Sequence, residues 1–245
     1  MRSSPSRAAD RAGERLTELI ALPFAHRGLH GGGIVENSRA AFAAAIARGH
    51  GIELDVQASR DGDAFVFHDQ SCDRLTLATG PIAARSSAEL SRLELRGAGE
   101  RLATLPDILA LIAARVPLLI EVKTARDVAP LCRSVAGALA DYRGAAGVMS
   151  FDPRVGAWFA RHAPHRLRGL VVTEMNRKNL RGRMERRLAL ARARPHFLGY
   201  DIRDLPSPFA AAARARGIAV CTWTVRTAAE GARAAEHADQ IIYEE

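Results

Sequence analysis

Residues 53–69, ELDVQASRDGDAFVFHD, place two acids on an apolar strand ahead of a tight turn and a histidine. Side chains two apart in a β-strand share a face, so Glu53 and Asp55 point the same way. The Asp-Gly pair at 61–62 predicts a two-residue hairpin turn, across which Asp55 faces His68. The stretch therefore predicts half of a metal site beside a histidine, and the alternative is an exposed hairpin whose acids are solvated.

The composition limits the class of protein. The chain has 245 residues, 48% of them hydrophobic, which is enough for a sizeable core and about the length of one α/β barrel. We therefore expect a single domain over residues 1–245. The formal net charge of +8 is compatible with nucleic acid or acidic lipid as a partner. Only Lys123 and Lys178 are lysines, so the charge comes from arginine throughout an alanine-rich chain and does not identify a partner.

Apolar strands alternate with helical segments along the whole chain. Strands are predicted at 23–27, 53–58, 117–123, 147–151, 168–172, 197–201, 218–224 and 240–243. Helices are predicted at 7–20, 39–48, 87–93 and 104–114, with further helical segments between the later strands. Eight strand-helix units predict a closed parallel sheet, a (β/α)8 TIM barrel in the α/β class. The first helix is expected to cap the barrel bottom, and the hairpin and a short insertion at about 70–102 follow strand 2.

Cysteine use and hydropathy bear on the compartment. Cys72, Cys132 and Cys221 lie far apart without metal-type spacing, which predicts a reducing environment. No apolar run has the length of a signal-peptide core or a membrane span, so a cytoplasmic protein without stable membrane anchoring is expected. The arginine-rich segment 176–194 predicts a solvated helix, with contact to an anionic surface as the alternative.

The candidate site residues lie where strands end, as catalytic groups do in such barrels. They are His26, Arg27, Glu53, Asp55, Glu121, Lys123 and Trp223, with His68 added by the hairpin. Three converging carboxylates suit one hard divalent cation, Mg²⁺ or Ca²⁺. Arg27 and Lys123 are expected to bind a phosphate, and two histidines suit general acid–base hydrolysis of a phosphodiester.

Further motifs carry a resemblance to a known family. They are AHRG at 25–28, ENSRAAFAAAIARG at 36–49, DRLT at 73–76, ATLPDIL at 103–109, LLIEVK at 118–123, SF at 150–151 and TWTV at 222–225. With residues 53–69, they resemble the glycerophosphodiester phosphodiesterases over nearly the whole chain. The resemblance implies a TIM barrel that uses a divalent cation to hydrolyse glycerophosphodiesters to glycerol 3-phosphate and an alcohol.

The resemblance also assigns roles to residues. By it, His26 and His68 match the acid/base pair, Arg27 and Lys123 match phosphate contacts, and the metal ligands are Glu53, Asp55 and Glu121. Substrate contacts are expected from Asn37, Phe151 and Trp223, although Trp223 is equally compatible with a core position. Val35 stands where the family usually has proline, which loosens the loop without removing a functional group. Two further departures concern the pocket borders: the insertion after His68 is short, and the chain ends ADQIIYEE where the family usually continues through Thr-Asp and a proline-containing tail.

Several alternatives stay open at this point. A non-catalytic barrel could bind phosphodiesters or nucleic acid through its arginines, but clustered acids would not help an anion binder without a cation. An enzyme acting on lysophospholipids or sphingolipids is the other alternative. The expected partner is a small glycerophosphodiester and not nucleic acid. No nucleophilic side chain stands beside a histidine in the motifs, so attack by the substrate's own 2-hydroxyl, giving a cyclic phosphate, is favoured over direct attack by water.

Overall fold

The computed structural model describes residues 5–124 and 126–245, with side chains from residue 11 onward. The strands are β1 Phe24–His26, β2 Gly51–Ala58, β3 Ala64–Val66, β4 Leu118–Val122, β5 Ala146–Ser150, β6 Leu167–Val172, β7 Phe197–Asp201, β8 Ala219–Val225 and β9 Gln240–Tyr243. All but β3 are parallel and close a barrel in the order β1, β2, β4, β5, β6, β7, β8, β9 and back to β1. The predicted (β/α)8 barrel with a hairpin extension is confirmed.

Helices pack on the barrel, and most of them return the chain from one strand to the next. They are α1 Pro5–Leu19, α2 Arg39–Ala47, α3 Ser87–Leu90, α4 Leu105–Ile112, α5 Ala129–Ala138, α6 Pro153–His162, α7 Leu180–Ala193, α8 Pro208–Arg214 and α9 Ala228–His237. Side-chain caps set several of the starts: Ser38 accepts from the Ala41 N–H, and Thr104 forms a capping box with Asp107. No helix among the described residues has the length and apolar character needed to cross a bilayer.

The barrel interior is filled by large apolar side chains near the amino ends of the strands. Leu19 of α1 packs there with Phe24 and Phe197, and all three are fully buried. A Cβ on Gly147 would lie 2.7 Å from Leu19, and one on Gly169 would lie 2.4 Å from the Phe197 ring, so glycine makes room for both side chains. α1 therefore closes the bottom of the barrel and leaves the opposite end for the site.

The register of the β2–β3 hairpin differs from the prediction by one residue. Val56 pairs with Val66, and the Phe67 N–H donates to the Asp55 carbonyl at 3.0 Å, so the predicted Asp55–His68 pairing is wrong. The loop has three residues, 60–62, rather than two, because the Ser59 N–H bonds the Asp63 carbonyl at 2.9 Å. Gly62 closes this loop with a φ of +93°, which is the usual conformation of the last residue in a three-residue hairpin.

The predicted insertion forms a small layer of its own against the hairpin. Its apolar side chains pack on the outward face of β3 and the residues after it, in a buried cluster of Phe65, Phe67, Cys72, Ile82, Leu90, Leu95 and Leu102. All three cysteines of the chain are buried free thiols. The reducing compartment, the cytoplasmic location and the single-domain organisation stay predictions.

Candidate active site

A cavity of about 390 Å³ opens at the carboxyl ends of the barrel strands. Eight of the predicted site residues line it: His26, Arg27, Glu53, His68, Glu121, Lys123, Phe151 and Trp223. The other two, Asn37 and Asp55, are buried behind its wall: the Asn37 N–H donates to the carbonyl of Arg27, and Asp55 pairs with Lys123. The structure thus brings together residues from strands and loops that are far apart in the chain.

Three carboxylates converge because β2 and β4 are neighbours in register. Asp55 pairs with Glu121 across the two strands, and Glu53 shares the inward face of β2 with Asp55. One oxygen from each carboxylate lies within 4.8 Å of the others. Glu53 and Asp55 are each 1% exposed and Glu121 is 7% exposed, so the alternative of an exposed hairpin with solvated acids is wrong.

The charge balance of this cluster fits a cation. Burial, together with the charges of Asp55 and Glu121, raises the pKa of Glu53 well above its usual value. Oε1 of Glu53 is buried without a hydrogen-bond partner among the described residues, and leaving a buried acceptor unpaired is unfavourable. A divalent cation held by the three carboxylates would satisfy this oxygen and offset the mutual repulsion, so the donor set fits such an ion.

Lys123 lies between two of the acids. Its Nζ is 2.8 Å from Oδ1 of Asp55 and 2.5 Å from Oε1 of Glu121. Burial alone would lower the pKa of Lys123, but these two carboxylates raise it above its usual value. For Asp55, burial is outweighed by the positive charges of Lys123 and Arg27, and its pKa is lowered. Lys123 is therefore charged, and its ammonium is held at the edge of the carboxylate cluster.

Arg27 follows β1 in a backbone conformation that aims its N–H at the acids. Its φ is +57°, which is uncommon for a residue with a side chain. The N–H donates to Oε2 of Glu53 at 3.1 Å, and Nη1 donates to Oε1 of Glu36 at 2.8 Å. Glycine is required next, because a Cβ on Gly28 would lie 2.8 Å from Cβ of Ala41. The loop therefore packs on α2 and fixes Arg27 beside the cavity.

Asn37 holds Asp55 in place from behind. It is 2% exposed, its Nδ2 donates to Oδ2 of Asp55 at 2.9 Å, and its Oδ1 accepts from the Asp55 N–H at 3.3 Å. Its φ of +55° lies in the left-handed region that asparagine tolerates better than most residues. The expected contact of Asn37 with substrate stays a prediction, and these bonds favour a positioning role.

Each histidine at the cavity has a carboxylate on its Nδ1. His26 bonds Oε1 of Glu244, whose Oε2 accepts from Nε of Arg226 at 2.7 Å. His68 bonds Oδ1 of Asp69 at 2.7 Å. A carboxylate on Nδ1 keeps the proton there and leaves Nε2 for acid–base work. The hydrogen bond from His26 lowers the pKa of Glu244 to about 2, and burial lowers the pKa of His26.

A network of ion pairs joins the two halves of the site through the insertion. Arg74 donates from Nε to Asp69 at 2.6 Å and from Nη1 and Nη2 to Glu36 at 2.8 and 2.7 Å. The hydrogen bond from Arg74 is the largest cause that lowers the pKa of Asp69 to about 2. Because Glu36 also binds Arg27 and Asp69 binds His68, one guanidinium supports both residues.

Aromatic side chains form another part of the wall. The rings of Phe151 and Trp223 meet edge to face with centroids 5.7 Å apart. Trp223 is partly buried against the barrel interior and also lines the cavity. The same side chain therefore packs on the core and forms part of the cavity wall. Contacts of Phe151 and Trp223 with substrate stay predictions.

The sequence reasoning missed Glu244, Asp69, Arg74 and Arg226. Glu244 follows the last strand, so the rule that placed acids at strand ends would have found it. Asp69 and Arg74 were within quoted motifs, but nothing in their spacing shows that they bond each other. Arg226 is brought to the cavity by the end of β8 and by its bond to Glu244.

Comparisons with known proteins support the fold and identify the family. The curated glycerophosphodiester phosphodiesterase of Caldanaerobacter subterraneus is 38% identical over 111 residues, 42% of this chain, and the match spans only 45% of that relative. The solved structure of an Oleispira antarctica phosphodiesterase in complex with the product sn-glycerol-3-phosphate has a TM-score of 0.79 at 21% identity and covers 91% of this chain and 93% of that one. A glycerophosphoryl diester phosphodiesterase structure from Silicibacter pomeroyi, described as putative, has a TM-score of 0.77 at 23% identity and covers 94% and 93%. At such identities these structures establish the fold alone.

The family assignment comes from a match that covers most of the chain. Residues 26–242 match the model of the glycerophosphoryl diester phosphodiesterase family. That range includes both cavity histidines and the three carboxylates. The chain therefore belongs to the glycerophosphoryl diester phosphodiesterase family.

Proposed function

We propose that this protein hydrolyses glycerophosphodiesters to glycerol 3-phosphate and an alcohol. The observation that carries the proposal is one cavity whose lining and adjoining wall contain three buried carboxylates, two cationic side chains and two carboxylate-bonded histidines. Family membership agrees with it, and a phosphodiester needs these groups: cations for its charge, and an acid and a base for its protons.

The carboxylates would hold the cofactor. Glu53, Asp55 and Glu121 offer oxygen ligands suited to one divalent cation, Mg²⁺ or Ca²⁺. When bound, such an ion would supply positive charge to the phosphoryl oxygens as a Lewis acid. Asn37 donates a hydrogen bond to Asp55, and the Arg27 N–H donates one to Glu53, so both side chains are held within the cluster.

Arg27 and Lys123 would bind the phosphate of the substrate. Both side chains line the cavity, and each is held by ion pairs to acidic side chains. Lys123 presents a compact point charge, whereas Arg27 presents a planar group that can donate two bonds to one phosphate. Arg27 thus orients the phosphate, and Lys123 stabilises the charge that grows on its oxygens during the reaction.

The two histidines would move the protons. One removes the proton from the glycerol 2-hydroxyl through Nε2, and the other gives a proton to the oxygen of the leaving alcohol. Glu244 and Asp69 keep Nδ1 of each ring protonated and fix the ring orientation. In this scheme Glu244 and Asp69 act as positioning residues, because they act through the histidines.

The nucleophile would come from the substrate. Thr224 lines the cavity, but it is hydrogen-bonded to neither histidine in the part of the chain that the structure describes. The glycerol 2-hydroxyl is already next to phosphorus, and such intramolecular attack can reach effective molarities of about 10⁵ M or more. Its oxygen bonds to phosphorus as the bond to the alcohol oxygen breaks, giving a cyclic phosphate. Water then opens the cyclic ester to glycerol 3-phosphate.

The test is product release from a defined panel of substrates. Purified protein is given glycerophosphocholine, glycerophosphoethanolamine, glycerophosphoglycerol or a lysophospholipid, each with Mg²⁺, Ca²⁺ or chelator, and glycerol 3-phosphate is measured. We expect metal-dependent release from at least one soluble diester and none from a His26→Ala, His68→Ala double variant. Lack of release from every soluble diester with both metals would contradict the proposal. Release from the lysophospholipid alone would make lysophospholipids, and not soluble glycerophosphodiesters, the substrate class.

The cyclic route has a separate test. A substrate with hydrogen in place of the 2-hydroxyl cannot form the cyclic phosphate. We expect its turnover to fall by a factor of about 10³ or more, because the intramolecular advantage is lost. Turnover within threefold of the parent would leave direct attack by water as the route while the hydrolytic function stands.

A further inference from the structure

Helix α7 packs against the core with Ala189, Leu190 and Ala193 and turns its other large apolar residues to solvent. Gly182, Arg186 and Ala193 form its buried face. Gly182 approaches the chain so closely that a Cβ would lie 2.0 Å from the Arg177 carbonyl oxygen. Leu180 is 74% exposed, Met184 48% and Leu188 66%. The fold therefore does not use these three side chains, and their exposure calls for another explanation.

The three apolar residues form one stripe. At about 100° per residue, positions i, i+4 and i+8 of a helix fall within about 80° of one another, and the buried face is centred on the opposite side. Met175, in the loop before α7, is exposed as well. Four of the seven exposed large hydrophobic residues among the described residues thus fall within positions 175–188. Single exposed leucines are ordinary, but a concentration of this kind marks a contact surface.

Positive charge borders the stripe on both sides. Arg183 and Arg187 lie along one edge, and Arg181 and Arg192 lie along the other, by the same helical spacing. Residues 175–194 contain eight basic residues and one acid, Glu185. Glu185 bonds Arg177 and Arg181 at 3.0 Å each. Arg183 and Arg187 are solvent-exposed and have no acidic group within 4 Å in the described part of the chain, so the local charge is left uncompensated.

We propose that α7 is a reversible docking surface for an anionic phospholipid bilayer. A helix with an apolar stripe between two rows of arginine suits this interface, because the apolar side chains enter the boundary of the acyl chains while the guanidinium groups bind lipid phosphates. The proposal concerns peripheral binding, since α7 has 14 residues and a bilayer span needs about 20 apolar ones. It stands independently of the reaction at the barrel cavity.

Other occupants fit these observations less well. Nucleic acid would use the arginines, but an aliphatic stripe of leucine and methionine adds nothing to phosphate contacts or base stacking. A second copy of this chain, meeting the first about a two-fold axis through α7, would bring like charges together on both sides of the stripe. The bilayer satisfies both the apolar and the cationic components at once.

The position of α7 leaves the cavity open to water. As a helix of the outer layer it lies along the side of the barrel, whereas the cavity opens at the carboxyl ends of the strands. A bilayer beneath α7 would therefore meet the wall of the barrel and not its mouth. Hydrolysis of a soluble diester should be unchanged by docking or by substitutions that prevent it.

The first experiment is co-sedimentation with vesicles in a salt series. Vesicles of phosphatidylglycerol and phosphatidylcholine in equal parts are compared with vesicles of phosphatidylcholine alone. We expect binding to the anionic vesicles, at least about tenfold weaker binding to the neutral ones, and a decline between low salt and 0.5 M salt as the charges are screened. Equal binding to both vesicles, or to neither at low salt, would overturn the proposal.

Variants then distinguish binding through the apolar stripe from adsorption by diffuse positive charge. Leu180→Gln with Leu188→Gln should reduce binding to anionic vesicles about tenfold or more. The matched control is Leu77→Gln, at a leucine of the insertion that is 86% exposed, and it should bind as the parent does. Melting temperature and hydrolysis of a soluble diester should be the same in all three proteins. Parent-like binding by the double variant would show adsorption by diffuse charge, and a changed oligomeric state on light scattering would show a protein interface. Either result would overturn the proposal.

Discussion

Replacing Glu244 with glutamine is expected to lower kcat strongly while leaving KM nearly unchanged. The Glu244 carboxylate bonds Nδ1 of His26 through Oε1 and Nε of Arg226 through Oε2. Arg226 can only donate, so in Glu244→Gln the amide oxygen must face Arg226 and the amide NH₂ must face His26. That NH₂ favours the tautomer with the proton on Nε2, and the nitrogen that faces the cavity then cannot accept a proton.

The magnitude follows from the bond that is lost. A hydrogen bond to a charged group contributes about 1.5–3 kcal/mol, which corresponds to about 10- to 150-fold in rate at 1.36 kcal/mol per tenfold. The change of tautomer adds to this, as the equivalent amide substitution in a serine-protease triad lowers kcat about 10⁴-fold. The lost hydrogen bond alone should therefore lower kcat for a soluble glycerophosphodiester by about 10- to 150-fold. The change of tautomer should make the total loss larger.

The assay is steady-state kinetics at saturating metal, with Glu245→Gln as the matched control. Glu245 is the next residue and pairs with Arg48 at 3.1 Å, away from the histidine. A double variant, Glu244→Gln with Arg226→Gln, removes the donor that dictates the amide orientation and should recover part of the loss. A Glu244→Gln kcat within about threefold of the parent would refute the reasoning, and a double variant no faster than the single one would refute its tautomer component.

The other predictions concern metal, protons and charge. Chelation should abolish hydrolysis, and Glu121→Gln should weaken metal affinity in a calorimetric titration without lowering the melting temperature; full activity in chelator would contradict the ligand assignment. His26→Ala and His68→Ala should each lower kcat/KM by about 10²- to 10⁴-fold, and the parent should show a bell-shaped pH profile; a loss under tenfold would reject that histidine's role. Lys123→Met should lower kcat more than it raises KM, whereas recovery of the rate with excess metal would show that Lys123 only offsets the acids. Burial and the charge of Arg168 lower the pKa of His196 from 6.5 to about 4. As the pH drops from 6.5 to 4, this histidine takes up a proton in the unfolded chain before it does so in the folded protein, so the free energy of unfolding should fall over that range. Denaturant titrations should show a smaller fall in His196→Gln, and an equal fall would exclude His196 as the cause.

The barrel and the carboxylate cluster could be predicted because they depend on local periodicity. Apolar runs located the strands, and the two-residue period of a strand put Glu53 and Asp55 on one face. The hairpin register was harder to predict, because the same sequence is compatible with a loop of two residues or of three. The structure has the three-residue loop, which is distinguished by the pairing of Ser59 with Asp63. The sequence therefore located His68 in the cavity while assigning it the wrong partner across the hairpin.

Contacts that depend on the closure of the whole barrel could not be predicted from the sequence. Glu244 and His26 lie at opposite ends of the chain, and they meet only because β9 pairs with β1. The role of Asn37 behind Asp55 likewise needs the loop before α2 to fold over β2. Local spacing contains no information on either pair, so their bonds had to come from the structure.

The shared guanidinium of Arg74 means that the two sides of the cavity are not energetically independent. It bonds Asp69, which supports His68, and Glu36, which supports Arg27. A change at either carboxylate alters the geometry available to the other, so substitutions on the two sides should be non-additive. If His68 moves a proton and Arg27 orients the phosphate as proposed, a substitution that adapts one of these side chains to a new leaving alcohol is expected to require a compensating change at the other.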